Sequence, residues 1–267
     1  MAEPPRRAAV VGSPIAHSLS PALHRAAYAA LGLTGWRYDA VEVDEAGFPG
    51  FLAGLAPEFV GLSCTMPLKR VALAAATEVA PAAAAVGAAN TLLRTGGGWR
   101  ADNTDVDGVL GALAEAGVTA PPAQVLLLGA GGTAQAAVTA LARLGVAHVT
   151  VAVRDARRAG PLQETAERVG VAATVVPFPD RFCAGLVVST LPGDAGAMLA
   201  GREWSGVRTL LDVVYAPWPT GLAAAAAAAG ATVVGGRAVL LHQAGRQVEL
   251  MTGRRAPLAA MRAALPD

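Results

Sequence analysis

The sequence predicts an α/β protein of two domains, with a doubly wound parallel sheet in the second. Short apolar strands alternate with helical stretches along the whole chain, which is the pattern of α/β folds. A proline-containing segment, residues 119–122, separates two such sets of elements and suggests a boundary. The strand that opens the second set, residues 125–128, is apolar at every position, which is typical of a strand buried on both faces.

In the first set, strands are predicted where apolar residues cluster or alternate. Helices are predicted where a capping or turn residue directly precedes a longer stretch between strands. The strands are residues 7–12, 36–43, 59–65 and 90–95, and the helices are 21–31, 48–55, a segment after Pro67, and 106–116. Trp99 and Arg100 are expected to pair back on the strand at 90–95 across a turn of three glycines. Gly117 is expected to end the last of these helices.

The second set begins with the strand at 125–128 and a helix at 133–144 that Gly145 ends. Further strands are predicted at residues 149–153, 173–176, 186–189 and 209–213, with helical stretches between them. Two terminal helices, 240–251 and 257–264, are expected to pack back on the first domain.

The composition restricts the classes of protein to consider. Apolar residues make up 54% of the chain and charged residues 15%, which is typical of a globular protein rather than a disordered one. The formal net charge is +1 and no run of Lys and Arg forms a basic face, so no nucleic-acid partner is expected. The longest helix-like apolar run, residues 222–229, is far below the ~20 residues that cross a membrane.

Cysteine and histidine form no metal-binding or disulfide pattern in the sequence. Cys64 and Cys183 are far apart, and the histidines are scattered. The first seven residues lack the apolar core of a signal peptide. A cytoplasmic protein with reduced thiols and without a bound metal is therefore expected.

A glycine-rich loop follows the strand at 125–128 and leads directly into a helix. It reads Gly129-Ala130-Gly131-Gly132-Thr133-Ala134, a GxGGxA variant of the dinucleotide-binding motif. Gly129 permits the tight turn, Gly131 lets the backbone approach a pyrophosphate, and Ala134 permits close packing of the helix on the strand. The helix start offers N–H groups to the phosphates. The alternative is a tight turn with a purely structural role.

The end of the next strand bears on the choice of dinucleotide. NAD-binding sites place an acidic residue there for the ribose hydroxyls, whereas this chain has Arg154, followed by Arg157 and Arg158. A guanidinium can hold a 2′-phosphate in a forked geometry, so the pattern favours NADP. Asp155 comes next in the sequence and keeps NAD open as an alternative. A cluster of exposed charges at a helix start is a third interpretation.

Three polar clusters lie in the first set. In the segment 12–21, Pro21 suits the first position of a helix and Ser20 its N-cap, which leaves His17 and Ser18 without a structural role. Two hydroxyls beside a helix start suit a carboxylate ligand, so this segment is a candidate anion site.

Lys69 and residues 102–105 form the other two clusters. Lys69 falls in the first turn of the helix after Pro67, where the helix dipole disfavours a cation. A residue that breaks a local rule indicates a functional role, and a solvated surface lysine is the alternative. Residues 102–105, Asp-Asn-Thr-Asp, precede the helix at 106–116 and are more polar than capping requires.

Together these clusters resemble the shikimate dehydrogenase family. The matching segments follow the family order and are residues 12–24, 61–69, 87–91, 102–105, 129–134, 212–220 and 235–244. Any one segment is weak evidence, and the whole series in order is a specific signal. The chain is therefore similar to enzymes that reversibly reduce 3-dehydroshikimate to shikimate with NADPH, in chorismate and aromatic amino-acid biosynthesis.

The resemblance implies a substrate-binding domain of residues 1–105 plus about 240–267, a Rossmann domain of residues 106–239 that binds NADP, and an active site in the cleft between them. Lys69 would be the catalytic lysine, with Asp105 as its partner. Substrate contacts are implied for Ser18, Ser20, Thr65, Asn90, Asp105, Tyr215 and Gln243. Cofactor contacts are implied for Gly129, Ala130, Gly131, Gly132, Thr133, Val153, Arg154, Arg158, Val213 and Gly236.

The chain departs from the family pattern in places. Cys64 stands where valine is usual and is expected to be a small core residue, and the segment 153–155, Val-Arg-Asp, replaces the usual Asn-Arg-Thr. The alternatives are an NAD-dependent dehydrogenase for quinate and shikimate, and a non-catalytic paralogue that binds a nucleotide and a ring acid. Lys69 and Asp105 argue against the paralogue. No nucleic-acid or membrane partner is expected, and the protein is expected to be a monomer or a homodimer.

Overall fold

The computed structural model describes residues 5–266, so residues 1–4 of the predicted polar N-terminal segment and residue 267 lie outside it. The chain divides into two compact units. The first contains the described residues up to Thr104 together with those from Gln243 onward, and the second contains Asp105–His242. Within residues 5–266, no helix has the length and apolar content needed to cross a membrane.

Regular elements alternate along the chain as the sequence predicts. Those up to residue 102 are β1 (Arg6–Gly12), α1 (Ser20–Ala30), β2 (Trp36–Glu42), α2 (Phe48–Ala53), β3 (Phe59–Cys64), α3 (Lys69–Ala74), β4 (Glu78–Val79), α4 (Pro81–Val86), β5 (Thr91–Thr95) and β6 (Gly98–Asp102). Those that follow are α5 (Asp105–Glu115), β7 (Val125–Leu128), α6 (Gly132–Arg143), β8 (His148–Ala152), a 3-10 helix (Ala156–Ala159), α7 (Gly160–Arg168), β9 (Ala172–Val176), β10 (Arg181–Phe182), β11 (Leu186–Ser189), α8 (Gly193–Ala197), β12 (Glu203–Trp204), β13 (Thr209–Asp212), α9 (Gly221–Ala228), β14 (Thr232–Gly235), α10 (Gly236–Thr252) and α11 (Leu258–Ala263). The short strands β4, β10, β12 and β14 and the helix α4 are not predicted from the sequence, and α10 begins earlier than residue 240.

The first unit is built on a mixed sheet with strand order β2-β1-β3-β5-β6-β4. β1 pairs parallel with β2 and β3, whereas β5 runs antiparallel to both β3 and β6. β5 and β6 form the expected hairpin, whose turn includes Gly98 at φ +135°, where a Cβ would lie 2.9 Å from Thr77 Oγ1. The sheet of this unit is therefore mixed, because so short a turn returns the chain antiparallel.

Two apolar clusters cover the faces of this sheet. Alternate residues of β1 belong to different clusters, since Ala9 and Val11 pack with Leu62 and Leu92, and the residues between them pack elsewhere. The second cluster includes Met251 of α10, and α11 contacts α1. The terminal helices therefore pack on the first unit, which confirms that part of the predicted fold.

The second unit is an all-parallel sheet with strand order β14-β13-β11-β7-β8-β9. Numbered within the unit, this is the 3-2-1-4-5-6 order of a Rossmann fold read from the β9 edge, which confirms the predicted fold class. All four residues of β7 are buried, as a central parallel strand requires. Residues 119–122 lie within this unit rather than at its edge, because α5 packs against α6.

Candidate functional site

The loop between β1 and α1 carries the two predicted serines. Ser18 Oγ accepts from the Ser20 N–H at 3.3 Å, and the buried Ser20 hydroxyl hydrogen-bonds to the Tyr38 phenol. The prediction that Ser20 caps the helix is wrong, because Leu19 occupies the cap position and Ser20 is the first helical residue. Ser18 instead satisfies a helix-start N–H. Because an accepting hydroxyl keeps its own hydrogen, Ser18 can still donate to a carboxylate.

The turn after β3 carries Thr65 and Lys69, both of which are half-buried. The Leu68 N–H donates to Thr65 O at 2.8 Å, and the Ala89 N–H donates to Lys69 O at 2.8 Å. Lys69 is the first residue of α3, and its hydrogen bond with Ala89 places its backbone close to the start of β5 at Thr91. Cys64 is a buried core residue, as predicted. Burial raises the pKa of its thiol to about 12, and the nearby charge of Lys69 opposes this rise.

Asn90 and Gln243 lie together in the first unit. Asn90 Nδ2 donates to Gln243 Oε1 at 3.4 Å and to Thr104 Oγ1 at 3.0 Å. Asn90 Oδ1 accepts from the Thr104 N–H at 2.8 Å. All three residues are buried. Two predicted substrate contacts that are 153 positions apart in the sequence therefore share one hydrogen-bonded cluster.

Gln247 belongs to the same cluster and was not predicted. It lies one helical turn beyond Gln243 on α10, and its Nε2 donates to Asn90 O at 3.2 Å and to Thr91 Oγ1 at 3.0 Å. The sequence does contain a signal for it, because residues four positions apart on a helix share a face. A glutamine on a buried face needs hydrogen-bond partners, which makes it a structural or functional candidate.

The glycine loop of the second unit joins β7 to α6. Gly129 has φ +99°, and a Cβ there would lie 2.6 Å from Thr190 Oγ1, so the turn requires glycine. Gly131 and Gly132 are exposed, with open space where a side chain would start, and Ala134 is fully buried. Among the described residues, no side chain caps α6. A phosphate can therefore approach the N–H groups at this helix start.

This loop lies where the strand order of the sheet reverses. β7 pairs with β8 on one side and with β11 on the other, and Thr190 directly follows β11. In open α/β sheets, ligands bind in the crevice at the carboxyl ends of the strands at such a point. Ala130 and Thr133 belong to the same loop and are half-buried.

The segment after β8 carries the predicted arginines. Val153 is buried, whereas Arg154, Arg157 and Arg158 are exposed. Asp155 caps the 3-10 helix by accepting from the Arg157 N–H at 3.1 Å, and both of its oxygens also accept from the Arg157 guanidinium. These hydrogen bonds lower the pKa of Asp155, so its carboxylate is ionised and already paired. The side chains of Arg154 and Arg158 provide the other cations of the segment.

Val213 and Gly236 lie together in the second unit. The Val213 N–H donates to Ser189 O at 3.0 Å, and the Gly236 N–H donates to Val214 O at 3.1 Å. A Cβ on Gly236 would collide with the Val213 carbonyl oxygen, so this approach of two backbone segments requires glycine. The two predicted cofactor contacts therefore occupy one location at the start of α10.

The loop after β13 also carries Tyr215, which is half-buried. Asp212 holds this loop, because its carboxylate accepts from the Thr220 hydroxyl at 2.6 Å and from the Val214 N–H at 3.3 Å. Burial raises the pKa of Asp212, and these two hydrogen bonds oppose the rise. The remaining predicted residue, Asp105, is the half-buried first residue of α5 in the second unit.

Comparison with known proteins gives consistent results along the chain. Three family models match it: "Shikimate dehydrogenase substrate binding domain" at residues 10–92, "Shikimate / quinate 5-dehydrogenase" at 112–180, and "Shikimate 5'-dehydrogenase C-terminal domain" at 236–265. A shikimate dehydrogenase (NADP(+)) of Methylobacterium radiotolerans is 39% identical over 249 residues, covering 89% of this chain and 88% of that protein.

Solved structures agree with these matches. The crystal structure of Mycobacterium tuberculosis shikimate dehydrogenase has 48% sequence identity and a TM-score of 0.88, covering 97% of this chain and 98% of that chain. Shikimate 5-dehydrogenase from Thermus thermophilus, solved in complex with NADP(H) and shikimate, has 34% identity and a TM-score of 0.83, covering 97% of this chain and 98% of that chain. Since identity and fold agree over nearly the full length, this chain belongs to the shikimate dehydrogenase family.

Proposed function

We infer that this chain is a shikimate dehydrogenase that uses NADP to interconvert 3-dehydroshikimate and shikimate, as an enzyme of aromatic amino-acid biosynthesis. The observation that carries this inference is the buried Asn90–Gln243 cluster next to the turn that bears Lys69. It occurs in a chain related over nearly its whole length to NADP-dependent shikimate dehydrogenases. We further propose that the protein acts in the cytoplasm as a monomer or homodimer.

The first unit offers two sets of hydrogen-bonding groups. One suits the carboxylate of a hydroxylated ring acid, and the other suits its ring hydroxyls. Ser18 and Ser20 lie at the start of α1, where the helix dipole favours a carboxylate. Asn90 and Gln243 provide amide groups, and Thr65 provides a hydroxyl, for the ring hydroxyls. We also assign Asp105 and Tyr215 to the substrate, on the resemblance to the family.

Lys69 is assigned the transfer of the proton. Reduction of a ketone adds a hydride to carbon and a proton to oxygen, and bound NADPH is the source of the hydride. The Lys69 ammonium donates the proton to the oxygen, and its charge stabilises the alkoxide that develops there. In the reverse reaction, the Lys69 amine accepts the proton. Asp105 is assigned to orient Lys69 and one substrate hydroxyl.

The glycine loop and the segment after β8 fit a dinucleotide, and the latter supports NADP over NAD. Asp155, the acidic side chain that could accept from ribose hydroxyls, is engaged by Arg157 and by the 3-10 helix. Arg154 and Arg158 are exposed guanidinium groups suited to a 2′-phosphate. We assign cofactor contacts to Gly129, Ala130, Gly131, Gly132, Thr133, Val153, Arg154, Arg158, Val213 and Gly236.

Turnover measured with shikimate or quinate, each combined with NADP or NAD, tests this function. The expected result is the highest kcat/KM with shikimate and NADP. Faster turnover of quinate with NAD would replace the proposal with the NAD-dependent quinate and shikimate enzyme. Binding of nucleotide and shikimate without turnover in any combination would identify the chain as a non-catalytic paralogue.

A further inference from the structure

Gln247 is the centre of a buried polar chain in the first unit. Its Oε1 accepts from Ser63 Oγ at 2.7 Å and from His24 Nε2 at 3.3 Å. Its Nε2 donates to Asn90 O at 3.2 Å and to Thr91 Oγ1 at 3.0 Å. The side chain is 1% exposed, so water does not compete for these positions. The four hydrogen bonds use both donor hydrogens and both acceptor sites of the amide.

One acceptor-only atom determines which partner donates and which accepts in each of these hydrogen bonds. Asn90 O is a main-chain carbonyl and can only accept, so Gln247 must turn its NH₂ group toward it. Gln247 Oε1 then faces Ser63 and His24, which must both donate. Burial lowers the pKa of His24 to about 3, so its ring is neutral near pH 7 and carries its hydrogen on Nε2. Ser63 in turn accepts from the Tyr38 hydroxyl at 2.6 Å.

The Thr91 hydroxyl links Gln247 to Asn90 and determines which atom of the Asn90 amide accepts from it. Because Gln247 donates to Thr91 Oγ1, the hydrogen of the Thr91 hydroxyl points away from Gln247 and toward Asn90 Oδ1 at 2.8 Å. The Thr104 N–H donates to the same oxygen at 2.8 Å. These two donors fix the position of Asn90 Oδ1 and thereby turn Asn90 Nδ2 toward Gln243 Oε1.

We propose that Gln247 is a positioning residue, which acts through Thr91 to set the direction in which Asn90 presents its side-chain amide to the substrate. The proposal rests on the proposed function, because it takes Asn90 as a substrate contact. Gln247 itself is enclosed by His24, Ser63, Thr91 and the Asn90 backbone, so it acts through Asn90.

The two variants that test this role are Gln247→Met and Thr91→Val. Methionine keeps the length and volume of glutamine and removes all four hydrogen bonds, whereas valine keeps the shape of threonine and removes the link to Asn90. Residues coupled in one hydrogen-bond network commonly show effects of roughly 2- to 150-fold. We expect each variant to raise the Kd for shikimate by about 10-fold, measured by calorimetry, with NADP affinity unchanged.

Gln135→Met is the matched control. Gln135 is also a buried helical glutamine, 8% exposed, and its Nε2 donates to Pro161 O at 2.9 Å and to Thr165 Oγ1 at 3.2 Å in the second unit. The same substitution therefore removes a comparable amide crosslink that does not involve Asn90. We expect a lower Tm and an unchanged Kd for shikimate.

A double-mutant cycle with Asn90→Ala separates positioning from general destabilisation. If Gln247 acts through Asn90, Gln247→Met has no further effect on shikimate affinity once Asn90 is alanine. Effects that multiply, or a normal Kd in both Gln247→Met and Thr91→Val, would overturn the proposal. Thr91→Val decides alone if Gln247→Met does not fold. A wild-type protein that neither binds nor turns over shikimate would instead overturn the proposed function.

Discussion

Arg157 pairs with Asp155 through both carboxylate oxygens, with Nε–Oδ1 and Nη2–Oδ2 distances of 3.0 Å each. The Arg157 N–H also donates to Oδ1, so the pair is part of the start of the 3-10 helix. An acidic residue just after β8, the second strand of the Rossmann sheet, would ordinarily favour the ribose of NAD. Here the local backbone and Arg157 together occupy that carboxylate.

Arg157→Ala is expected to reduce the preference for NADP over NAD, because the unpaired Asp155 carboxylate repels a 2′-phosphate and can accept from a ribose hydroxyl. The pair is exposed, so the change in the ratio of kcat/KM values should be roughly 2- to 5-fold at low ionic strength. Adding salt should make this change in the kcat/KM ratio smaller, because ions screen the exposed charges. The Asp155→Ala, Arg157→Ala double variant should recover the preference, and a double variant that does not would show that Arg157 contacts the cofactor directly.

Arg154→Ala is expected to weaken NADP binding by about 10- to 150-fold and to change NAD binding little, because one hydrogen-bonded charge contact to the 2′-phosphate is lost. Fluorescence titration with each cofactor measures both affinities. Arg202→Ala, which removes an arginine elsewhere in the second unit, controls for the change in net charge. Equal losses for NADP and NAD would remove Arg154 from phosphate recognition.

Lys69→Ala is expected to lower kcat by about 10²–10⁴, the usual range for a general acid or base. Shikimate affinity, measured by calorimetry, should change much less, because the lysine is assigned to chemistry rather than to binding. Arg70→Ala removes the neighbouring exposed cation and should leave kcat unchanged. Near-normal turnover of Lys69→Ala would assign the proton transfer to another group.

Ser18→Ala is expected to weaken shikimate binding by about 10- to 150-fold, because a hydroxyl that donates to a carboxylate makes a charge-assisted hydrogen bond. NADP binding should not change. The substitution also removes the hydrogen bond that Ser18 accepts from the Ser20 N–H, so Tm should fall slightly. Ser13→Ala, in the same loop, is the control. An unchanged Kd for shikimate would leave Ser18 with the helix-start role alone.

His24 is expected to make the stability of the protein depend on pH in acid. Burial lowers its pKa from 6.5 to about 3, so the unfolded chain binds a proton that the folded protein excludes. The stabilising contribution is present above pH 6.5 and is lost as the pH falls toward 3, by up to ~1.4 kcal/mol per pH unit. Urea titrations of wild type and His24→Asn between pH 7.5 and about 4 should show that the difference in unfolding free energy between the two proteins becomes smaller as the pH falls. A gap that stays constant would mean that His24 is protonated in the folded state.

The sequence by itself determined the order of the main elements, the Rossmann-type second sheet and the tight glycine turn between β7 and α6. These depend on short-range properties that a sequence displays directly. A strand buried on both faces must be apolar at every position, as in residues 125–128, and a turn at positive φ requires a residue such as Gly129. The series of family motifs in order likewise sufficed to identify the family, which the comparisons confirm.

Only the tertiary structure decided which polar groups face one another. Ser18, rather than Ser20, accepts a helix-start N–H because of how the loop enters α1. The ion pair of Asp155 depends on the turn that brings Arg157 back to it. The position of Gln247 against Asn90 joins residues 157 positions apart. The direction of each hydrogen bond there follows from an acceptor-only carbonyl in a buried place, where leaving a polar group unpaired costs free energy. Such constraints act through space between distant segments, so they are absent from any local pattern in the sequence.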